Sequence, residues 1–368
     1  MSDVMGPGAI RQVGYSGRRE AQSARCGAPT DRSYFHTLAG IRGVAALFVV
    51  VFHLGLYFKP VRDPLGYAAV DLFFLLSGAV IDASYSDRLR RGMSVLSFAH
   101  IRLARLYPLY ILGTIMMLVA AVVAPHGILF VDPAARFTIP TPGIMFVPAA
   151  LLVPIFNSGV QYPLNPPAWS LFWEIAVNVL YAAILPFLNR KTLIMVIVAA
   201  GAPFFAVNYF GLDHLACTPP LGLARASFSF FLGVLLYRER AALQPPAWAV
   251  AWLPMLAMVI VCITLGWQNA SPRIYLAAVF LVFPVTVWMA LHAQPSRWSA
   301  SIWDGLGDIS YPIYAMHLPL AVFLLTIVGP VPSFPWVGPA FTGALVITAM
   351  ILNRYYDRPL RQILAPRR

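Results

Sequence analysis

Apolar stretches long enough to cross a bilayer recur along this chain, and they leave it few folds to adopt. A hydrocarbon core of ~30 Å takes about 20 helical residues to span. Such runs can be drawn near 37–58, 67–86, 107–124, 167–188, 192–210, 221–237, 247–266, 273–291, 310–329 and 336–356. They are continuously apolar rather than alternating with period two, which argues against an outer-membrane β-barrel. Composition agrees: 60% of residues are hydrophobic and 11% charged, against roughly a quarter charged in soluble domains, and mean hydropathy is +0.73. The expected architecture is all-α, a polytopic integral membrane bundle of about ten transmembrane helices.

The net charge of +12 does not point to nucleic acid, because the basic residues fall between the apolar runs and at the chain ends. With the N-terminus inside, the inner side collects Arg88, Arg90, Arg91, Arg102, Arg105, Arg190, Lys191, Arg238, Arg240, Arg297 and the closing arginines, while Lys59, Arg62, Arg136 and Arg273 lie outside. This asymmetry favours an even number of spans with both termini cytoplasmic. Residues 1–33 are rich in Gly, Ser and Arg without an apolar core and read as a disordered cytoplasmic tail. The membrane domain is expected over 34–362, with a short cytoplasmic tail at 363–368. Cys26, Cys217 and Cys262 show neither metal-ligand nor redox spacing, and no metal site is expected. The basic stretch 87–106 reads as an interfacial amphipathic helix. The Pro-rich stretch 125–166, whose apolar middle is shorter than a span, reads as a re-entrant or interfacial segment on the outer side.

Ionisable residues inside spans are the candidates for function, because a charge there costs at least a few kcal/mol. Arg42 and His53 lie on one apolar helix, about 16 Å apart and on the same side. His53, Asp71 and Glu174 fall at depths of ~8, ~6 and ~9 Å below the outer surface if each helix starts there. A histidine and two carboxylates in one layer suit general-base chemistry, since a carboxylate can hold the imidazole tautomer; they also suit plain helix-to-helix hydrogen bonding. Arg225 either neutralises one of these carboxylates or snorkels to the interface. Arg102 and Arg105 share a helix face near the inner surface, where two guanidiniums could grip phosphate or simply flank a span. Arg42 too lies near the inner end and could reach headgroups. His317, between Pro312 and Pro319, enters as either a structural or a functional group. No HExxH, Walker A, GxGxxG or G-x-S-x-G pattern is present.

These residues in this order resemble the acyltransferase 3 family of membrane O-acyltransferases. Thr37 to Gly43 with Arg42, followed by His53, is similar to the family's opening arginine and histidine. The run Ala69–Gly78, with Asp71 and Ser77, resembles its second-helix signature, and Arg102-Leu103-Ala104-Arg105 its two-arginine motif. Trp169-Ser170-Leu171 with Glu174, Gly307 to Tyr311 with Ser310 and His317, and Tyr356 to Arg361 resemble its later segments. Asn178 departs from the tyrosine common after the glutamate. The resemblance implies acyl transfer, by default acetyl, from cytoplasmic acyl-CoA to a hydroxyl of a glycan, a lipid-linked molecule or a small acceptor at the outer face. The setting would be the cytoplasmic (inner) membrane, with no bound cofactor. His53, Asp71 and Glu174 would then be catalytic, with Asp71 or Glu174 orienting His53. Arg42, Arg102 and Arg105 would hold the CoA phosphates, and Ser310, Tyr311, His317 and Arg225 are further candidates. Broken, proline-bearing helices with internal ionisable groups also suit a secondary transporter or glycan exporter.

Overall fold

The computed structural model describes residues 35–58, 66–124, 128–129, 136–137, 141–155, 161–212, 219–240, 252–266, 271–293, 295–329, 331–332 and 334–364. The expected tail at 1–33 and the last residues, 365–368, lie outside them. The chain is an all-α membrane bundle. Its helices are α1 (His36–His53), α2 (Gly66–Arg90), α3 (Val95–Val123), the short α4 (Pro142–Ala150), α5 (Ala168–Ile184) and α6 (Arg190–Tyr209). They continue as α7 (Pro219–Glu239), α8 (Trp252–Gly266), α9 (Pro272–His292), α10 (Arg297–Val328), α11 (Val337–Leu352) and α12 (Arg358–Leu364). A two-residue antiparallel ladder, Ile128–Leu129 with Arg136–Phe137, lies between α3 and α4.

Side chains close the helix starts where the sequence offers them. Ser94 accepts from Ser97 N–H at α3, Asn189 from Lys191 and Thr192 N–H at α6, and Ser271 from Ile274 N–H at α9. Pro108 lies inside α3 and removes one ladder hydrogen bond. Carbonyls beside it are taken up from other elements: Leu106 O accepts from the Tyr311 hydroxyl and Pro108 O from that of Tyr356, at 3.1 Å.

Two expectations change. The basic stretch 87–106 is not a separate interfacial helix. Its first residues end α2, Gly92 turns the chain with φ +103°, and the rest forms the opening turns of α3, which runs on through Pro108 into the apolar run that follows. The second change concerns the seventh run. Nine helices among the described residues are long and apolar enough to span a membrane, and the run drawn at 247–266 contributes only the 15-residue α8. Direction nevertheless requires a return pass there. Arg225 near the start of α7 and Tyr275 near the start of α9 both bond Asp71. At the other end, His292 on α9 bonds Arg240 O, just past α7, at 2.7 Å. The two helices are therefore parallel, and the chain between them must cross back.

Close approaches between parallel helices set the packing. Where α2 meets α7, a Cβ on Gly78 would overlap Phe230 O, and one on Gly233 would overlap Leu75 O. The same two helices are clamped by buried ion pairs. Arg225 grips Asp71 through two bonds of 2.8 and 2.7 Å, and Arg238 grips Asp82, which also accepts from Tyr181 at 2.6 Å. Asp71 and Arg225 are 1% and 2% exposed, so Arg225 neutralises a carboxylate rather than reaching for the interface.

Replacing Gly78 with leucine should force α2 and α7 apart and cost on the order of 3 kcal/mol or more. Thermal unfolding of the detergent-solubilised protein should show it as a clear drop in Tm. Gly343→Ala, whose Cβ meets nothing within 4 Å, should leave Tm in place. Breaking the Asp71–Arg225 clamp by Arg225→Met or Asp71→Leu alone should cost about 3–5 kcal/mol, while the double replacement recovers most of that loss; the same unfolding assay reads both.

Candidate active site

The site is built on α1 and α10, which lie side by side and parallel. Small residues let them touch: Gly40 faces the Trp303 ring, Gly43 the backbone of Leu306, and Gly307 the Cα and Cβ of Ala39. Along this seam Arg42 donates to Ser310 Oγ and to Gly307 O, both at 2.9 Å. His36 Nδ1 lies 2.6 Å from Asp304 Oδ1. The far end of the seam brings His53, the last residue of α1, against His317. Their rings are 4.8 Å apart between centroids, and His317 Nε2 is 3.2 Å from His53 Nδ1. His53 Nδ1 also lies 3.0 Å from Val49 O, and His317 Nδ1 2.7 Å from Tyr314 O. His317 is fully buried.

One turn before His317, the Tyr314 hydroxyl donates to Pro167 O at 2.9 Å and lies 2.5 Å from Ser170 Oγ. This contact shows where α5 begins. The end of α4 meets the bundle: the Tyr107 and Tyr110 hydroxyls, midway along α3, donate to Ala150 O and Ala149 O. Tyr162 donates to Leu152 O at 3.0 Å within the same segment, and burial pushes its phenol well above the ordinary range, so it stays a neutral donor.

The single layer of His53, Asp71 and Glu174 does not form. The depths expected for it assumed that every helix starts at the surface, whereas α5 starts at the level of Tyr314. Glu174 therefore lies about two turns deeper and belongs to a second cluster. Its Oε1 accepts from the Ser77 hydroxyl, from Asn178 at 3.0 Å and from Arg102 at 3.3 Å. Asp71 is closed off by Arg225, by the Tyr275 hydroxyl at 2.9 Å, and by the Tyr67 and Trp169 rings that flank the guanidinium at 4.1 and 5.0 Å. Among the described residues, no carboxylate lies within 4 Å of His53. Neither acid orients it.

The two arginines of α3 also part company. Arg102 is 6% exposed and turned inward to Glu174, with its Nε lacking a hydrogen-bond partner among the described residues. Arg105 adds its charge to a group formed by Asp357, Arg361 and Tyr311. In that group Arg361 pairs with Asp357 and lies 5.9 Å from the Tyr311 ring. The group sits where a π turn, Asn353–Asp357, joins α11 to α12, and His100 of α3 bonds Leu364 O at 3.0 Å. The Arg361–Asp357 pair and the Arg358–Asp308 pair beside it are each neutral, so Arg105 leaves this group net positive among the described residues. Among the described residues, no three His, Cys, Asp or Glu side chains gather to hold a metal. An apolar cavity of 210 Å³ adjoins the histidine end, lined by Leu54, Tyr57, Ala321, Leu325 and Phe341 among others.

Sequence spacing singled out most of these groups but not Tyr314, Ser170, Asp357 or Arg361 as partners. The only early signal for Tyr314 was its position three residues before His317, on the same helix face.

A family model described as an acyltransferase domain matches residues 35–354, which includes both histidines, the buried Arg102–Glu174 cluster and the α1–α10 seam. The chain is 40% identical over 165 residues to "Protein 2 in picA locus" of Rhizobium radiobacter, a match covering 42% of this chain and 83% of that protein. No solved structure matches. The chain is a multi-pass membrane protein and belongs to the acyltransferase 3 family.

Proposed function

We propose that this protein transfers an acyl group, acetyl by default, from acyl-CoA at the Arg105 end of the bundle to a hydroxyl presented at the His53 end. The observation that supports the reading is the short interval along one helix between an imidazole and a cationic group within one family domain. Tyr311 bonds the carbonyl of Leu106, next to Arg105, and six residues on, about 9 Å along α10, His317 meets His53. A pantetheine arm is long enough for that interval, roughly half a bilayer when extended.

The charges suggest the orientation. Arg88, Arg90, Arg91, Arg190, Lys191, Arg238, Arg240, Arg354, Arg358 and Arg361 lie at the end where α1 begins, and Arg273 at the other. The positive-inside bias supports a reading in which the CoA-binding end faces the cytoplasm and His53 lies near the outer face of the membrane. The acceptor is a glycan, a lipid-linked molecule or another hydroxylated compound.

In this reading His53 Nε2 takes the proton of the acceptor hydroxyl. The freed oxygen attacks the thioester carbonyl, the C–S bond breaks, and the departing CoA sulfur takes the proton held by the His53 imidazolium, leaving CoA as the thiol and His53 neutral again. Arg105 binds phosphate oxygens of the donor. Arg102, held by Glu174, keeps an Nε–H without a partner among the described residues, a donor the thioester could use. Arg42 belongs to the helix seam and acts on the donor only by charge.

Membranes from cells producing the protein, supplied with radiolabelled acetyl-CoA, should label an envelope glycan or lipid fraction. In His53→Ala, label transfer should fall ~10²–10⁴-fold; near wild-type transfer would remove His53 as the base. Arg105→Ala should raise KM for acetyl-CoA about tenfold or more with kcat nearly kept, the loss expected for one charge-assisted contact. An unchanged KM would take the phosphate site away from Arg105.

A further inference from the structure

We infer that His317 is a positioning residue that holds His53 in the one tautomer able to act as a base, taking the part a carboxylate plays in many catalytic dyads. The inference rests on the reading of His53 as the base and follows from donor and acceptor chemistry along three contacts. A carbonyl oxygen only accepts, so His317 Nδ1, 2.7 Å from Tyr314 O, carries a hydrogen. In a neutral ring the other nitrogen, Nε2, is then a bare acceptor, and it points at His53 Nδ1 from 3.2 Å. His53 Nδ1 also faces Val49 O at 3.0 Å, a second group that only accepts. Both neighbours therefore require a hydrogen on His53 Nδ1, and the lone pair is left on Nε2.

Other candidates for the role are accounted for. Asp71 is occupied by Arg225 and Tyr275, and Glu174 by Ser77, Asn178 and Arg102. Tyr314 and Tyr311, the other titratable groups on this stretch of α10, spend their hydroxyls on Pro167 O and Ser170 and on Leu106 O. The choice of a neutral partner fits the burial: His317 is 0% exposed, and an ionised carboxylate there would need a counter-charge. When His53 takes the acceptor's proton, its Nδ1–H bond to His317 becomes charge-assisted and strengthens. That gain belongs to the transition state more than to the ground state, so it lowers the barrier without tightening substrate binding.

The test compares two replacements of His317 in the membrane label-transfer assay with acetyl-CoA. Glutamine keeps a side-chain acceptor within reach of His53 Nδ1; methionine fills similar space without a comparable one. His317→Met should lower kcat ~10²-fold or more with KM for acetyl-CoA within about twofold, and His317→Gln should recover most of it, staying within ~10-fold of wild type. Equal, large losses in both variants, with Tm of each near wild type, would overturn the inference, as would wild-type kcat in His317→Met. If the methionine variant does not fold, the glutamine variant decides alone, and a folded His317→Gln protein as inactive as His53→Ala would overturn the proposal. His53→Ala separates the two levels: activity retained there defeats the base assignment itself, whereas activity lost there and kept in His317→Met defeats only the role of His317.

Discussion

The seam between α1 and α10 is the constraint on which the site depends. Gly40, Gly43 and Gly307 remove the side chains that would hold two parallel helices apart, and Trp303 and Leu306 fill the space. Without a hydrophobic drive between helices in lipid, such close backbone contact is how they associate. Its consequence is chemical. Because the helices run the same way and in register, the histidine that ends α1 meets the one histidine of α10, and Arg42 nearer the start meets Ser310. An offset of one turn would break both contacts together.

Burying charge in lipid imposes a second constraint, and this chain meets it by pairing. Asp71 with Arg225, Asp82 with Arg238 and Glu174 with Arg102 each join α2 or α5 to another helix. The first two clamp α2 to α7. The third differs because, among the described residues, the Arg102 Nε and the neighbouring Asn178 Oδ1 have no hydrogen-bond partner. Buried polar atoms left open are costly in a structural pair, and they are what a substrate path can use.

Much of the architecture was legible in the sequence. The run length predicts the helices, and α2, α6, α7 and α9 lie within a few residues of the drawn spans. The Pro-rich stretch 125–166 was legible as something other than a span or a simple turn, because its apolar middle is too short to cross a bilayer. The interfacial helix at 87–106 failed because amphipathicity and basic charge describe a surface, while the continuity of α3 depends on an in-phase apolar run and the Ser94 cap.

What the sequence alone determined was the class of fold, the sidedness of the charge and the short roster of ionisable groups a membrane would have to bury. Each follows from transfer free energy, a property of residues taken one or a few at a time. Which of those groups became partners was decided only by tertiary structure. Asp71 went to Arg225 instead of His53, Glu174 went to Arg102, and His317 took the place expected of an acid, because pairing depends on helix direction, on register, and on where a helix starts. The recessed start of α5 moved Glu174 away from the outer layer. No spacing within a single segment encodes that displacement, since it arises from contacts between Pro167, Tyr314 and Ser170 on elements far apart in the chain.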